Sequence, residues 1–220
     1  MLYIGIIGDI KNSKDITNRG KVQKKLGQVL KDINKKYRKD IYTKFIITLG
    51  DEFQGLLRRG DKTMYIISEI QRSMYPTEIR FGIGIGSLAT DVITEMSIGA
   101  DGPVYYNARK AVNHLKEDER RSQTNPADIR VEMNGEDNQA KGELINITLS
   151  LMTGIKEFWT DRQREIIWDM LEHQDSQTDV ARRLGIKQPT VQKSLSKGKY
   201  YTYKEGLDII NREFDKLLKE

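Results

Sequence analysis

The chain has 220 residues, a formal net charge of +5, about one charged residue in three and no cysteine. That excludes a disulfide framework, a thiolate zinc site and a cysteine nucleophile, and sets the chain apart from disordered sequences. The N-terminus Met-Leu-Tyr-Ile-Gly-Ile-Ile-Gly-Asp has no basic run ahead of its apolar stretch, and nothing approaches the roughly 20 apolar residues of a membrane span. The expectation is a soluble cytoplasmic protein with no membrane span, long enough for one large domain or two small ones.

Leu2 to Ile10 is apolar, β-branched and closed by Gly8-Asp9, the pattern of a buried strand. A polar loop, Lys11-Asn12-Ser13-Lys14-Asp15, follows it. From Thr17 to Lys39, Val22, Leu26, Val29, Leu30, Ile33 and Tyr37 recur at helical spacing. The opposite face carries lysines from Lys21 to Lys39, suited either to solvent or to a polyanion. A second strand is predicted over Tyr42 to Leu49 and a third over Phe53 to Leu57.

Between them lies Gly50-Asp51-Glu52. Gly50 suits a turn position with positive φ, and Asp51 tolerates turn geometry. Two adjacent carboxylates fit either a solvated acidic turn or a divalent-cation site, since Mg²⁺ takes one or two carboxylates and fills its shell with water or phosphate.

Asp61 is read as the N-cap of a helix with Met64, Ile67, Ile70 and Met74 facing inward, ending before Tyr75-Pro76. Ile79 to Gly86 alternates apolar residues with glycine, a strand that other backbone or a ligand approaches closely. A loop of glycines and small residues runs to Gly99-Ala100-Asp101-Gly102. Pro103 then opens a helix through Val104, Ala108, Ala111, Val112 and Leu115. Glu117 to Ala127 is a charged connector and Ile129 to Met133 a last short strand. The order β-α-β-β-α-β-α-β predicts an α+β, ferredoxin-like or palm-like layer over residues 1–135.

In that topology the first and second strands run parallel, so Asp9 and Asp51-Glu52 converge at one sheet edge beside Asn12, Ser13 and Lys14. Paired carboxylates with nearby amides and lysines suit metal-assisted phosphate chemistry. The predicted metal ligands are Asp9, Ile10, Asp51 and Glu52, with Mg²⁺ or Mn²⁺. Asn12, Ser13, Lys14 and Gly50 are the predicted nucleotide contacts.

Asn134-Gly135-Glu136-Asp137-Asn138 breaks the pattern. Residues 136–158 read as a linker helix marked by Leu144, Ile147, Leu151, Ile155 and Phe158. Residues 159–220 read as an all-helical unit. Thr160 is the expected cap of its first helix, with Ile166, Ile167, Met170 and Leu171 inward. Gln177 to Leu195 has helix-turn-helix spacing: a small Ala181 where helices cross, Gly185 for the left-handed turn, and Val191 packing back. Arg182, Lys187, Gln188, Thr190, Gln192, Lys193 and Lys197 are the predicted contacts to double-stranded DNA, in a stretch from Val180 to Lys204 without an acidic residue. Tyr203 to Leu218 is read as the last helix. His114 and His173 are too few and too isolated for a zinc site.

Gly8-Asp9-Ile10, Leu49-Gly50-Asp51-Glu52-Phe53 and Arg80-Phe81-Gly82-Ile83-Gly84-Ile85-Gly86 resemble segments of the class III nucleotidyl cyclase fold, shared by the diguanylate cyclases. The resemblance implies two metals bound at Asp9 and Asp51. In Gly102 to Arg109 it implies Arg109 and Asn107 as transition-state residues. Tyr105, however, takes the place of the catalytic asparagine, Asn107 is displaced by two residues, and Ile47 stands where an adenine-reading lysine would be. Losing one such donor costs on the order of 10²–10³ in rate.

Over its full length the chain looks closest to the SatD family, which pairs such a domain with a C-terminal helix-turn-helix. The resemblance implies a DNA-binding regulator, a homodimer, whose cyclase-like domain binds nucleotide and divalent metal or mediates dimerisation. The alternative is a nucleotidyl cyclase or nucleotidyltransferase using Asp9 and Asp51.

Overall fold

The computed structural model describes residues 1–89, 102–121 and 127–219. The loop expected up to Gly99-Ala100-Asp101, and part of the Glu117–Ala127 connector, lie outside the described residues. By its contacts the chain divides into two units, residues 1–150 with 210–220, and residues 151–209.

The first unit is built on one five-stranded sheet. Its strands are β1 (Tyr3–Ile10), β2 (Ile41–Leu49), β3 (Glu52–Leu57), β4 (Ile79–Gly86) and β5 (Ile129–Met133), in the order β2-β3-β1-β4-β5. β1 pairs antiparallel with β3 and β4, β2 antiparallel with β3, and β5 parallel with β4. The helices α1 (Arg19–Lys36), α2 (Thr63–Met74), α3 (Pro103–Arg120) and α4 (Glu136–Glu157) complete the order read from hydrophobic periodicity. The fold class is α+β, as expected.

β1 is central and buried along nearly its whole length, which is why its sequence is a continuous apolar run rather than an alternation. Ile7 packs with Ala108 and Val112 of α3, so Gly5, Ile7 and Asp9 share the α3 face. The glycines of β4 let α3 lie on the sheet at backbone distance. A Cβ at Gly84 would sit 2.1 Å from the carbonyl oxygen of Val104, and one at Gly82 would sit 2.3 Å from that of Ala108. α3 therefore runs antiparallel to β4, from Gly86 near Val104 to Arg80 near Glu119.

Asp61 does not cap α2. The N-cap position is Lys62, without a side-chain cap bond, and Asp61 instead accepts from Arg59 at 3.2 Å. The amide of Met64 is bonded by Asn211 Oδ1 at 2.8 Å, a partner far along the chain that no local pattern reveals.

The second unit contains the end of α4 from Leu151 onward, α5 (Asp161–His173), α6 (Gln177–Arg183), α7 (Gln188–Lys197) and the first part of α8 (Tyr200–Leu217). Thr160 caps α5 through a full capping box with Gln163. Gly185, at φ +62°, makes the α6–α7 turn, and the Ile186 amide closes it onto the Ala181 carbonyl at 2.9 Å. Val180, Val191, Leu195 and Leu207 are fully buried. Trp159 donates its indole N–H to the Gly198 carbonyl at 2.7 Å and packs edge-on to Tyr203. α8 starts at Tyr200, earlier than expected, because buried Tyr200 is already part of the packed face. Its residues from Ile210 onward count with the first unit.

Among the described residues no helix is long and apolar enough to cross a membrane.

Candidate functional site

The C-terminal end of β1 and the β2–β3 turn meet as the topology requires. Gly50 takes φ +53° at the turn, where a residue with a Cβ would be strained. The turn is fastened to β1 by the Ile10 amide, which donates to the Asp51 carbonyl at 3.1 Å. Asn12, at φ +51°, redirects the chain into a 3₁₀ turn, Ser13–Asp15, and the Ser13 hydroxyl donates to Asp51 Oδ2. Asp9 and Asp51 thereby line one cleft of about 590 Å³, together with Asn12, Ser13 and Lys14 on one side and Arg80, Lys116 and Arg120 on the other.

A row of charges crosses the sheet beneath this cleft. Glu52 of β3, Asp9 of β1 and Arg80 of β4 occupy facing ladder positions. All three are buried, and all three point to the α3 face. Two carboxylates directly opposite would repel in a low-dielectric site, so each needs a cation. α3 supplies them at intervals along one side: Arg109 grips Glu52 bidentately, with one bond of 2.6 Å, and Lys116 meets Asp9 Oδ1 at 3.2 Å. Arg80 bonds Asp9 and also reaches Glu119 Oε2 at 2.5 Å. Lys11 joins the far end through Glu119 at 3.3 Å and Asp128 at 3.0 Å.

The pKa shifts follow this wiring. Burial opposes the charge of Arg80, but the bonds it donates to Glu119 and Asp9 outweigh it and raise its pKa. Arg109 is raised chiefly by its bond to Glu52. Burial of Glu119 works upward, yet Arg80 and Lys11 overcome it and hold its pKa below the usual carboxylate value. Lys11 is desolvated too, but Asp128 and Glu119 leave its pKa raised.

The expected site residues do not all face the cleft. Asp9, Ile10, Asn12, Ser13, Lys14 and Asp51 line it. Glu52 is buried with both oxygens held by Arg109, so it offers no open coordination position. Asn107 is also buried and donates to the Ile85 carbonyl at 2.8 Å, toward the opposite end of β4. Tyr105 is buried against Leu56 and Val104, and burial pushes its hydroxyl up to about 12. Gly50 lines a smaller neighbouring pocket of about 140 Å³, walled by Ile10, Ile16 and Val22 and edged by Arg19 and Gln23. This pocket shares Ile10, Ser13 and Asp51 with the cleft.

No group of three or more His, Asp or Glu side chains is arranged around a metal position among the described residues. The oxygen set nevertheless fits one hard cation, because Mg²⁺ needs only one or two carboxylates when phosphate and water supply the rest. Asp51, bonded by Ser13 at Oδ2, fits that requirement. Asp9 lines the cleft with Oδ2 on Arg80 and Oδ1 on the half-exposed Lys116, so it fits once Lys116 gives way. Glu52, buried under the Arg109 fork, does not fit.

The sequence reading missed Arg80, Lys116, Arg19 and Gln23. The signal for Arg80 was present: an arginine in an otherwise apolar strand needs a buried partner.

In the second unit, Arg182, Lys187, Thr190, Gln192, Lys193 and Lys197 are exposed, and Gln188 is half-buried. The acid-free stretch is partly neutralised from elsewhere. Arg182 pairs with Asp179 at 2.9 Å, and Arg183 with Asp169 at 2.6 Å and Asp175 at 2.5 Å. The bonds to Asp175 and Asp169 raise the Arg183 pKa further. Lys187, Lys193 and Lys197 have no carboxylate partner among the described residues, so the cationic face of α7 is narrower than the sequence suggests.

A family model described as the SatD family matches residues 3–207. No curated protein matches. Among solved structures, the chain is similar to the monomeric guanylyl cyclase domain of the RhoGC fusion protein from the aquatic fungus Blastocladiella emersonii. Identity there is 16%, with a TM-score of 0.40 over 50% of this chain and 73% of that one. The guanylyl cyclase Cya2 gives 12% identity and a TM-score of 0.40, covering 52% and 70%. A bacterial light-regulated adenylyl cyclase gives 12% and 0.43, covering 58% and 73%. Likenesses of that degree carry no argument about activity.

Proposed function

The chain belongs to the SatD family, and we propose that its first unit binds a nucleoside triphosphate with a divalent cation and performs phosphoryl transfer of the cyclase or nucleotidyltransferase kind. One observation carries this reading: Asp9 and Asp51 reach a single cleft from two separate strand ends, with Lys14, Lys116 and Arg120 around it. In the reading, Asp9 and Asp51 hold the cation, Mg²⁺ or Mn²⁺, and the Ser13 hydroxyl fixes the Asp51 carboxylate. Lys116 exchanges Asp9 Oδ1 for phosphate, freeing that oxygen for the cation, and with Lys14 and Arg120 it meets phosphate oxygens as point and fork charges. The pocket of Ile16 and Val22 takes the flat, apolar base. When bound, the cation supplies charge neutralisation and Lewis-acid polarisation at the phosphates. Arg109 keeps Glu52 neutralised and out of the cleft.

The test is incubation of the full chain with each nucleoside triphosphate and Mn²⁺, with products separated by chromatography and binding followed by calorimetry. The reading expects cation-dependent nucleotide binding and a product, both abolished by Asp51→Asn. Binding without product in any combination removes the catalytic half of the proposal. Absence of cation-dependent binding removes it entirely.

A second reading, compatible with the first, has its own observation. Lys193 and Lys197 stand on α7 and Lys187 at its N-cap, beside exposed Thr190 and Gln192, a composition suited to duplex phosphates and base edges. We propose that the second unit docks α7 in a DNA major groove. A homodimer would present two such helices to half-sites about one helical turn apart.

A further inference from the structure

We propose that Gln188 is the base-reading residue of the second unit, that it reads adenine, and that a hydrogen-bond chain running to Tyr201 sets its orientation. The inference rests on the DNA-docking reading above and specifies what that reading leaves open.

Three side chains from three helices form the chain. Gln188 is the first residue of α7, Gln177 the first of α6, and Tyr201 stands near the start of α8. Gln188 Nε2 donates to Gln177 Oε1 at 2.6 Å, and Gln177 Nε2 donates to the Tyr201 hydroxyl at 3.0 Å. A glutamine has several rotatable bonds, and left alone on a surface it would sample many orientations. Here one end of the Gln188 amide is committed inward, and the side chain is half-buried. The Gln177 amide is used at both ends, so it acts as a positioning residue.

What remains open has a definite pattern. Gln188 keeps its amide oxygen, an acceptor, and a second N–H, a donor. Adenine shows a donor at N6 beside an acceptor at N7 in the major groove, the complement of that pair. Guanine shows two adjacent acceptors there and leaves the glutamine oxygen facing another oxygen. At the other end, the Tyr201 oxygen already accepts from Gln177, so its own O–H is not spent on that amide. Tyr201 is 57% exposed, so that O–H is available to a backbone phosphate. The chain thus couples a phosphate contact on α8 to a base contact on α7. Lys187, next to Gln188 and exposed, adds charge without base information.

The experiment is a binding selection by the full chain from a randomised duplex library, followed by competition between the enriched site and its single-base variants. The expected result is a position occupied by A·T in each half-site, where replacement by G·C weakens binding roughly 5- to 150-fold. Gln188→Glu is expected to move the preference at that position to C·G, because a carboxylate accepts from cytosine N4. Tyr201→Phe is expected to weaken every site through the lost phosphate contact and the A·T site further, so that the preference narrows at that position and stays as in the parent elsewhere. If Gln188→Glu enriches the same site as the parent, the inference is overturned and the DNA-docking reading stands. Salt-dependent binding by the parent with no base preference overturns it in the same way. If the parent binds no duplex at all, the docking reading falls and the inference with it.

Discussion

Asp9 and Glu52 face each other across the antiparallel β1–β3 ladder, and each is neutralised by a different side chain of α3. Such a pair is stable only because the cations are placed with it. The arrangement also sorts the two acids: Asp9 remains on the cleft wall while Glu52 is closed off beneath Arg109.

Arg80 carries more of this balance than Lys116. Its side chain is 9% exposed and serves both Asp9 and Glu119, whereas that of Lys116 is 36% exposed and serves Asp9. Arg80→Met is expected to cost about 3–5 kcal/mol in urea denaturation, as a buried pair broken on one side. Lys116→Met should cost no more than about 1 kcal/mol. Equal losses would contradict the assigned roles.

Gly84→Ala tests whether α3 is held by direct backbone contact with the sheet. The added methyl would fall 2.1 Å from the Val104 carbonyl oxygen and 2.3 Å from the Ala108 nitrogen, neither of which can rotate away. A loss of about 1–3 kcal/mol or more is expected. Because α3 also carries Arg109 and Lys116, cation-dependent nucleotide affinity should fall in parallel. A neutral substitution would show that α3 yields.

Asn211→Ala removes the side chain bonded to the second amide of α2. The expected loss is about 0.5–2 kcal/mol, measured by chemical denaturation. Asn211→Asp keeps the acceptor and should recover part of that loss.

The Glu119–Lys11–Arg80 cluster sets a pH window. Glu119 titrates below its ordinary 4.5 when folded, so its contribution is intact above that value and is lost as pH falls through the depressed one. Lys11 titrates above its ordinary 10.5, so its contribution is intact below that value and is lost only as pH rises past it. Thermal midpoints measured from pH 7 down to about pH 3 should fall less steeply for Glu119→Gln than for the parent, from a lower starting point. Parallel profiles would refute the assignment.

Removing one unpaired cation from α7 should change salt dependence rather than sequence preference. For Lys193→Ala, the slope of log affinity against log salt between about 50 and 200 mM is expected to drop by about 1. The same change at Arg182, already paired with Asp179, should have the smaller effect. Fluorescence anisotropy with one duplex checks both.

Much of this was legible in the chain itself. The apolar run of β1, the Gly50 turn and the glycines of β4 state their roles locally, and the β-α-β-β order then brings Asp9 and Asp51 to one edge. The capping box at Thr160 and the left-handed Gly185 are equally local. The partners of Asp9 and Glu52 were not legible, because they depend on ladder register and on where α3 lies across it. Asp61 was misread as a cap for the same reason: the true partner of the α2 amide, Asn211, is 147 positions away. The acid-free stretch after Val180 overstated the positive face, since carboxylates from α5 and the turn after it reach back to Arg183.

The seat of Asn211 bears on how the polypeptide is made. Asn211 and Phe214, which lies against Gly60, belong with residues 1–150 yet follow the whole of residues 151–209. During vectorial synthesis the sheet and α2 leave the ribosome long before these two side chains do. The earlier-made body must therefore wait, with the Met64 amide left to water and a groove open beside Gly60, until the later-made helical unit has been translated.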